Sequence, residues 1–224
     1  MVVTYRMIYT KKIKDAVKFS IKTHEVYQKQ KRKGKDIAYI THPLTVGIIL
    51  AQAGANEDVI VAGILHDTVE DSTEEKKVTT QMLDERFGKN VTMLVLSVTE
   101  QDRTLSWDEQ KKEALEHVSH FSHDSLLVKS ADIISNTSEL IDDYDRHGEK
   151  VFDRFFASKE KFIAHQLALI SAIKHSWPEN PLVPNLIHNA VQIERMRVGT
   201  GEWWLPTKYF SLMKITWDYH FYLN

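Results

Sequence analysis

The chain has 224 residues, enough for one globular domain with an appendage, and a formal net charge of −2. Hydrophobic residues make up 42% and charged residues 27%, a composition that excludes intrinsic disorder and collagen-like structure. The near-neutral charge gives no general indication of a specific nucleic-acid partner. Cysteine is absent, which excludes disulfides, thiolate nucleophiles and cysteine-based metal sites.

Two further features concern location. The N-terminus lacks the continuous apolar core of a signal peptide. No apolar stretch approaches the roughly 20 residues that a membrane-spanning helix needs. The sequence therefore predicts a soluble, cytoplasmic protein that has no membrane partner.

Apolar residues recur with helical spacing along most of the chain, and only eight Gly and five Pro interrupt it. A first amphipathic helix begins near Ile13 and is followed by a lysine-rich polar loop. Thr41 and Asn56 are the predicted N-caps of the second and third helices. The third helix is densely apolar and is predicted to carry LHDTVED, residues 65–71. Further helices are predicted at about 76–87, 89–99, 107–121, 125–143 and 149–174.

This pattern predicts an all-α fold, a helical bundle formed by residues 1–175. The composition changes from Trp177 onward, where four of the five Pro and four of the five Trp are found. We therefore interpret residues 176–224 as a Trp/Pro-rich C-terminal extension packed on or next to the bundle. Such an extension is a candidate surface for a homo-oligomer.

Four ionisable residues cluster in the segment LHDTVED. On a helix, His66 lies one turn from Glu70 and Asp67 lies one turn from Asp71. No Lys or Arg occurs between residues 59 and 75, so the carboxylates would repel one another unless a cation neutralised them. The cluster favours a divalent metal over the alternative of a solvated acidic helix end.

Two other segments offer residues that could complete a metal site. His42 stands at a predicted helix start in YITHP, and Asp132 lies in the apolar helix that contains VKSADIISN. An unpartnered buried Asp would be costly. Asn136 lies one helical turn after Asp132, where its amide could hold a water, a ligand or a phosphate oxygen.

The ordered set YITHP, LHDTVED and VKSADIISN resembles the HD-domain phosphohydrolases, and within them the branch that hydrolyses (p)ppGpp. The resemblance covers roughly residues 10–175. It implies an HD-domain helical bundle and a bound Mn²⁺ or another divalent metal. It also implies metal ligation by His42, His66, Asp67 and Asp132, and a catalytic pair, Glu70 and Asp71, that orients and deprotonates water.

The resemblance implies a small-molecule nucleotide substrate, from which hydrolysis removes the 3′-pyrophosphate to give GDP or GTP and pyrophosphate. Arg32 and Lys33 resemble the basic pair that contacts this nucleotide, with solvated surface lysines as the alternative interpretation. Asn136 matches the family's Asn beside the last ligand. Lys129, three residues before Asp132, is a candidate substitute charge for the substrate.

The sequence departs from the family pattern at two positions. The family commonly has basic residues directly after the last metal ligand and soon after its Asn, where this chain has Ile133 and Ser138. These departures favour one alternative, and the sequence leaves a second one open. The first is an HD hydrolase that acts on another nucleotide, a mono-, di- or triphosphate. The second is a catalytically silent sensor that binds a nucleotide.

Overall fold

A computed structural model describes residues 9–99 and 105–198, and these residues are predominantly helical. The described ranges contain no β-strand beyond an isolated antiparallel bridge between Lys31 and Ala38. The predicted all-α class is therefore confirmed. The α-helices are α1 (Lys11–Ile21), α2 (Thr41–Gln52), α3 (Glu57–Leu65), α4 (Thr80–Phe87), α5 (Lys89–Val98), α6 (Trp107–Val118), α7 (His123–His147), α8 (Lys159–Ser176) and α9 (Val183–Val198).

The chain forms two compact units. Of the described residues, the first unit comprises 9–99 and 121–132, and the second comprises 105–120 and 133–198. Helix α7 therefore contributes its beginning to the first unit and its remainder to the second. The predicted division into residues 1–175 and 176–224 stays a prediction.

The first unit is built around helix α3, against which α1, α2 and α5 pack. All residues of α3 from Val61 to Leu65 are buried. Two glycines let α2 and α3 approach closely, because a Cβ on Gly47 would lie 2.6 Å from Ile64 Cγ1 and one on Gly63 would overlap Leu50 Cδ1. As predicted, Asn56 begins α3 by accepting a hydrogen bond from the Val59 amide at 3.1 Å.

The second unit packs α8 against both α6 and α9. An aromatic cluster joins α8 to the chain before it, with the rings of Phe155 and Phe162 stacked at 4.3 Å. Asp143 is buried, and Arg154 donates to it at 2.7 Å. The core of this unit consists of Leu140, Val151, Phe152, Ile163, Ile193 and Met196.

Three predicted helix starts were wrong. Thr41 is the first residue of α2 rather than its cap, because its hydroxyl donates back to the carbonyl of Ala38. The helix predicted at 76–87 begins at Thr80, after a 3₁₀ turn at Glu74–Lys76 and an extended Lys77. The helix predicted at 149–174 begins at Lys159, where Ser158 caps it, because Gly148–Arg154 forms a 3₁₀ helix.

The beginning of the predicted extension is helical. Asn180 accepts a hydrogen bond from the Leu182 amide at 2.9 Å, and α9 then packs against α8. Trp203, Trp204 and Trp217 lie outside the described residues. Within residues 9–99 and 105–198, no helix has the length and apolar character required to cross a membrane.

Candidate functional site

Helix α3 does not continue through the LHDTVED segment, contrary to the sequence prediction. Helix α3 ends at Leu65, and residues 66–70 form successive turns. The Leu65 carbonyl accepts bonds from both the amide of Thr68, at 2.9 Å, and its hydroxyl, at 2.6 Å. These contacts to a residue three positions back tighten the chain and end the α-helix. The acidic residues are thus presented by turns rather than by one helix face.

Three helices bring the predicted ligands together in the first unit. His42 lies in the first turn of α2, His66 and Asp67 directly follow α3, and Asp132 lies on α7. The two histidine Nε2 atoms are 3.3 Å apart. Asp67 Oδ2 lies 3.1 Å from Nε2 of His66 and 3.6 Å from Nε2 of His42. Asp132 Oδ1 lies 3.4 Å from Nε2 of His42.

This geometry fits a divalent cation. Ligand atoms about 2.1 Å from one ion lie about 3.0–3.5 Å from one another, close to the separations in this cluster. His66 donates from Nδ1 to the carbonyl of Gly63 at 2.8 Å, which directs Nε2 at the cluster, where a bound metal would take the place of the Nε2 proton. His42, His66 and Asp67 each offer a ligand atom, and all three atoms lie within 4.8 Å of one another. Imidazole and carboxylate ligands without thiolate suit a borderline or hard divalent ion.

The charges of the cluster favour ionised carboxylates. Burial disfavours a charge on His66, but the carboxylates of Asp67 and Asp132 outweigh burial and raise the pKa of His66 to about 9. Burial also opposes ionisation of Asp67, yet His66 and His42 hold its pKa below the usual range. Burial is overcome at Asp132 by Lys129 and both histidines, which hold its pKa well below that of a free aspartate. Both carboxylates are therefore in the form that binds a cation.

Tyr39 orients one of these carboxylates, a contact that the sequence analysis missed. Its hydroxyl donates to Asp67 Oδ2 at 2.6 Å. Its ring packs against the rings of His24 and His42, with centroids 5.1 and 5.8 Å away. Burial, with the negative charges of Asp67 and Asp71, raises the pKa of Tyr39 above the usual range, so the hydroxyl stays a donor. The position of Tyr39, three residues before His42 in YITHP, was the available signal.

The predicted catalytic pair follows on the same turns. The Asp71 amide donates to the Asp67 carbonyl at 2.9 Å, and Asp71 Oδ2 accepts a bond from Gln30 Nε2 at 2.9 Å. Glu70 is half-buried on the preceding turn. Gln30 is 41 residues away from Asp71 in the sequence, and no motif predicted this contact.

The predicted substrate-binding residues occupy different surroundings. The Arg32 guanidinium lies over the Tyr39 ring, 5.5 Å from its centroid, and is thereby close to the cluster. Lys33 is exposed on the same loop. Lys129 donates to Asp132 Oδ2 at 2.8 Å, so it orients the carboxylate whose Oδ1 faces the histidines. Asn136 lies one turn further along α7, where the second unit begins.

The two positions that depart from the family pattern are used for packing. Ile133 is buried. Ser138 and Thr137 accept hydrogen bonds from Asn189 Nδ2 at 3.0 and 2.8 Å, and Asn189 belongs to α9. A basic residue at either place would have to displace these contacts or be buried.

Two histidines and two aspartates gathered from three helices of an all-α protein are the arrangement that the resemblance to HD-domain metalloproteins implies. The sequence profile of the HD domain family matches residues 16–161, and the chain is a member of that family. Family membership implies dependence on a divalent metal. The site is assembled from residues inside the matched range.

Several characterised proteins are similar to the chain. The Xenopus tropicalis protein named guanosine-3′,5′-bis(diphosphate) 3′-pyrophosphohydrolase MESH1 is 36% identical over 130 residues, which are 57% of this chain and 69% of the relative. Its Homo sapiens counterpart is 34% identical over 128 residues, 56% of this chain and 68% of the relative. A solved structure of a metazoan SpoT ortholog, described as hydrolysing ppGpp, superposes with a TM-score of 0.66 at 22% identity, covering 87% of this chain and 98% of that one. This last likeness concerns the fold.

Proposed function

We propose that the chain is a metal-dependent phosphohydrolase that removes the 3′-pyrophosphate from (p)ppGpp. Water attacks, the bond between the 3′-oxygen and its pyrophosphate breaks, and the products are GDP or GTP and pyrophosphate. The observation that carries the proposal is the cluster of His42, His66, Asp67 and Asp132, in which Nε2 of each histidine lies 3.1–3.9 Å from both carboxylates. The similarity to the MESH1 proteins supports the choice of substrate.

These four residues hold the metal in our proposal, and Mn²⁺ is the proposed ion. A bound divalent ion acts as a Lewis acid that lowers the pKa of water and screens phosphate charge. The chain itself supplies the orientation. Tyr39 fixes Asp67, and Lys129 fixes Asp132, so that each aspartate presents a defined oxygen.

Glu70 and Asp71 act on water in this proposal. Neither side chain is needed as a ligand, because the four residues above already give a complete protein donor set. Their carboxylates can accept the proton of the attacking water, and Gln30 holds one oxygen of Asp71 in place for this task. The proton is subsequently available to the departing 3′-oxygen.

Cationic and amide side chains bind the nucleotide. Arg32 is held over Tyr39 at the edge of the cluster, and Lys33 is exposed beside it on the loop, so both can meet an anionic substrate. Asn136 is proposed to contact the substrate from α7. Lys129 is already paired with Asp132, which favours an orienting role over direct contact with phosphate.

Product analysis tests the proposal. Purified protein is incubated with ppGpp, and separately with a panel of ordinary nucleotides, with Mn²⁺ and with a chelator. Manganese-dependent release of GDP and pyrophosphate from ppGpp is expected. Cleavage of another nucleotide of the panel, without attack on ppGpp, would refute ppGpp as the substrate but would still show that the protein is a hydrolase. If no nucleotide were cleaved, the result would favour a sensor that binds a nucleotide but does not cleave it.

Two substitutions separate ligand from catalyst. Glu70→Gln is expected to retain the metal and to lower kcat by about 100-fold or more. His66→Ala is expected to lose both metal and turnover. Glu75→Gln, at an exposed glutamate on the following 3₁₀ turn, is the matched control and should behave as wild type. A Glu70→Gln variant that turned over normally would show the catalytic assignment to be wrong.

A second candidate is hydrolysis of a different nucleotide. The observation in its favour is that Ile133 is buried and that Ser138 is engaged by Asn189, so neither position offers charge to a bis-diphosphate. The nucleotide panel decides between the two substrates. A cytoplasmic location and a homo-oligomer formed through residues 176–224 accompany the proposal as predictions.

A further inference from the structure

His24 is fully buried in the first unit and lies on an unusual piece of helix. After α1, residues Lys22–Tyr27 form a π-helix, closed by a bond from the Gln28 amide to the Thr23 carbonyl at 3.2 Å. Lys29 then takes a positive φ of 50°. This turn brings the chain back, so that the Gln30 amide donates to the His24 carbonyl at 2.9 Å. Backbone geometry thus places the two side chains together.

A directed chain of hydrogen bonds leads from His24 to Asp71. Gln30 donates through Nε2 to the Asp71 carboxylate at 2.9 Å, which leaves its Oε1 facing His24. That oxygen can only accept, so Nδ1 of His24 carries the proton in the 2.8 Å contact with it. A flipped amide would present an oxygen to the carboxylate and be repelled. The contact with Asp71 therefore sets the amide orientation and, through it, the histidine tautomer.

The His24 ring also contacts the side chain that orients Asp67. It packs against Tyr39, whose hydroxyl binds Asp67. Nε2 of His24 has no hydrogen-bond partner among the residues that the structure describes, although the ring is completely buried. A polar ring is costly in such a place. The hydrogen bond between Nδ1 and Gln30 offsets part of this cost.

We infer that His24 is a positioning residue which, through Gln30, fixes the Asp71 carboxylate for its action on water. The inference rests on the proposed function, in which Asp71 is part of the catalytic pair. The amide of Gln30 makes this a chain of orientation rather than of proton transfer, because an amide does not readily pass protons. His24 fixes the orientation of the Gln30 amide, and the amide fixes the position of one oxygen of Asp71. Loss of this hydrogen-bond chain is expected to slow the chemical step without altering metal ligation.

Two isosteric variants isolate the donor. His24→Asn keeps an N–H at the position of Nδ1, whereas His24→Leu places a methyl group there. Both remove the rest of the ring and therefore share the same packing loss. We expect His24→Leu to lower kcat about 10- to 100-fold with KM and Mn²⁺ affinity little changed, and His24→Asn to recover most of the rate. Equal rates in the two variants would overturn the inference.

Gln30→Ala tests the second link in the same assay. It should reproduce the kcat loss of His24→Leu with a wild-type Mn²⁺ titration. Gln28→Ala is the matched control, because Nε2 of Gln28 makes no hydrogen bond to the described residues. A parallel fall of thermal midpoint, metal affinity and rate in Gln30→Ala would indicate a merely structural role and refute the inference. If wild type cleaves a nucleotide other than ppGpp, the comparison is made on that nucleotide.

The tautomer of His24 provides a readout that needs no turnover. In a two-bond ¹H–¹⁵N correlation spectrum of the wild-type protein, assigned by its loss in His24→Asn, His24 should show the Nδ1–H form. Gln30→Ala should shift it towards the Nε2–H form. An Nε2–H tautomer in wild type would overturn the inference even for an active enzyme. If the protein cleaved no nucleotide but His24 still showed the Nδ1–H form, the hydrogen-bond chain would be supported and the proposed function would be refuted.

Discussion

Tyr39→Phe removes one hydroxyl from the candidate metal centre and leaves the ring. The hydroxyl donates to Asp67 Oδ2, the oxygen that faces both histidines, at 2.6 Å. The packing of the ring on His24 and His42 and beneath Arg32 is unchanged by the substitution. The variant therefore measures the orienting bond alone.

The expected loss follows from that bond. A hydrogen bond to a charged group contributes about 1.5–3 kcal/mol, and 1.4 kcal/mol corresponds to a factor of ten. Part of the loss is recovered where water replaces the hydroxyl at the half-buried edge. We expect Mn²⁺ affinity to fall about 10- to 100-fold, the range found for residues that orient metal ligands.

Calorimetric titration of metal-free protein with Mn²⁺ measures this loss. Tyr27→Phe is the matched control, because Tyr27 is exposed and its ring contacts Lys22 and Lys76 rather than the cluster. Its Mn²⁺ affinity should equal that of wild type. Affinity in Tyr39→Phe within twofold of wild type would refute the orienting role of Tyr39.

Three further predictions concern stability. Gly63→Ala places a Cβ against Leu50 Cδ1 and 3.1 Å from Val46 Cγ1, so it should lower the free energy of unfolding by about 1–3 kcal/mol in a urea titration. Chelation of the metal should lower the thermal midpoint by about 5–10 °C relative to protein at 100 times the dissociation constant, and should have no effect in His66→Ala. Without metal, the raised pKa of His66 stabilises the fold fully below pH about 6.5, and this contribution is lost as pH rises towards about 9. The urea midpoint of the metal-free protein should fall over that window, and a fall of equal size in His66→Gln would contradict the assignment.

The candidate ligands could be predicted because they occur in ordered motifs whose chemistry is unusual. The acidic run after Leu65, which has no Lys or Arg near it in the sequence, favours a bound cation, and the imidazole of His42 and the carboxylate of Asp132 are groups that can bind one. Their local structure was less predictable. Apolar periodicity continues smoothly through Leu65, and only the side-chain bonds of His66 and Thr68 to nearby carbonyls show why the helix stops there.

Contacts between distant segments left no trace in the sequence pattern. Gln30 looks like one more polar residue of a lysine-rich loop, and its bond to Asp71 depends on the π-helix and the positive φ of Lys29. Neither feature has a sequence signature in this chain, since Lys rarely adopts that conformation. His24 likewise had no companion pattern, although it is among the largest fully buried side chains of the structure.

At position 138, a segment outside the HD match contacts a residue inside it. The match ends at residue 161, whereas Asn189 lies beyond it on α9 and holds Ser138 within the second unit. An arginine there would have to give up this network and compete with Asn189 for space. In the proposed function, the cationic contacts to the nucleotide come from the loop that contains Arg32, which lies over Tyr39. Hydrolysis of ppGpp would mean that the loop cations suffice, and preference for a less charged nucleotide would mean that they do not.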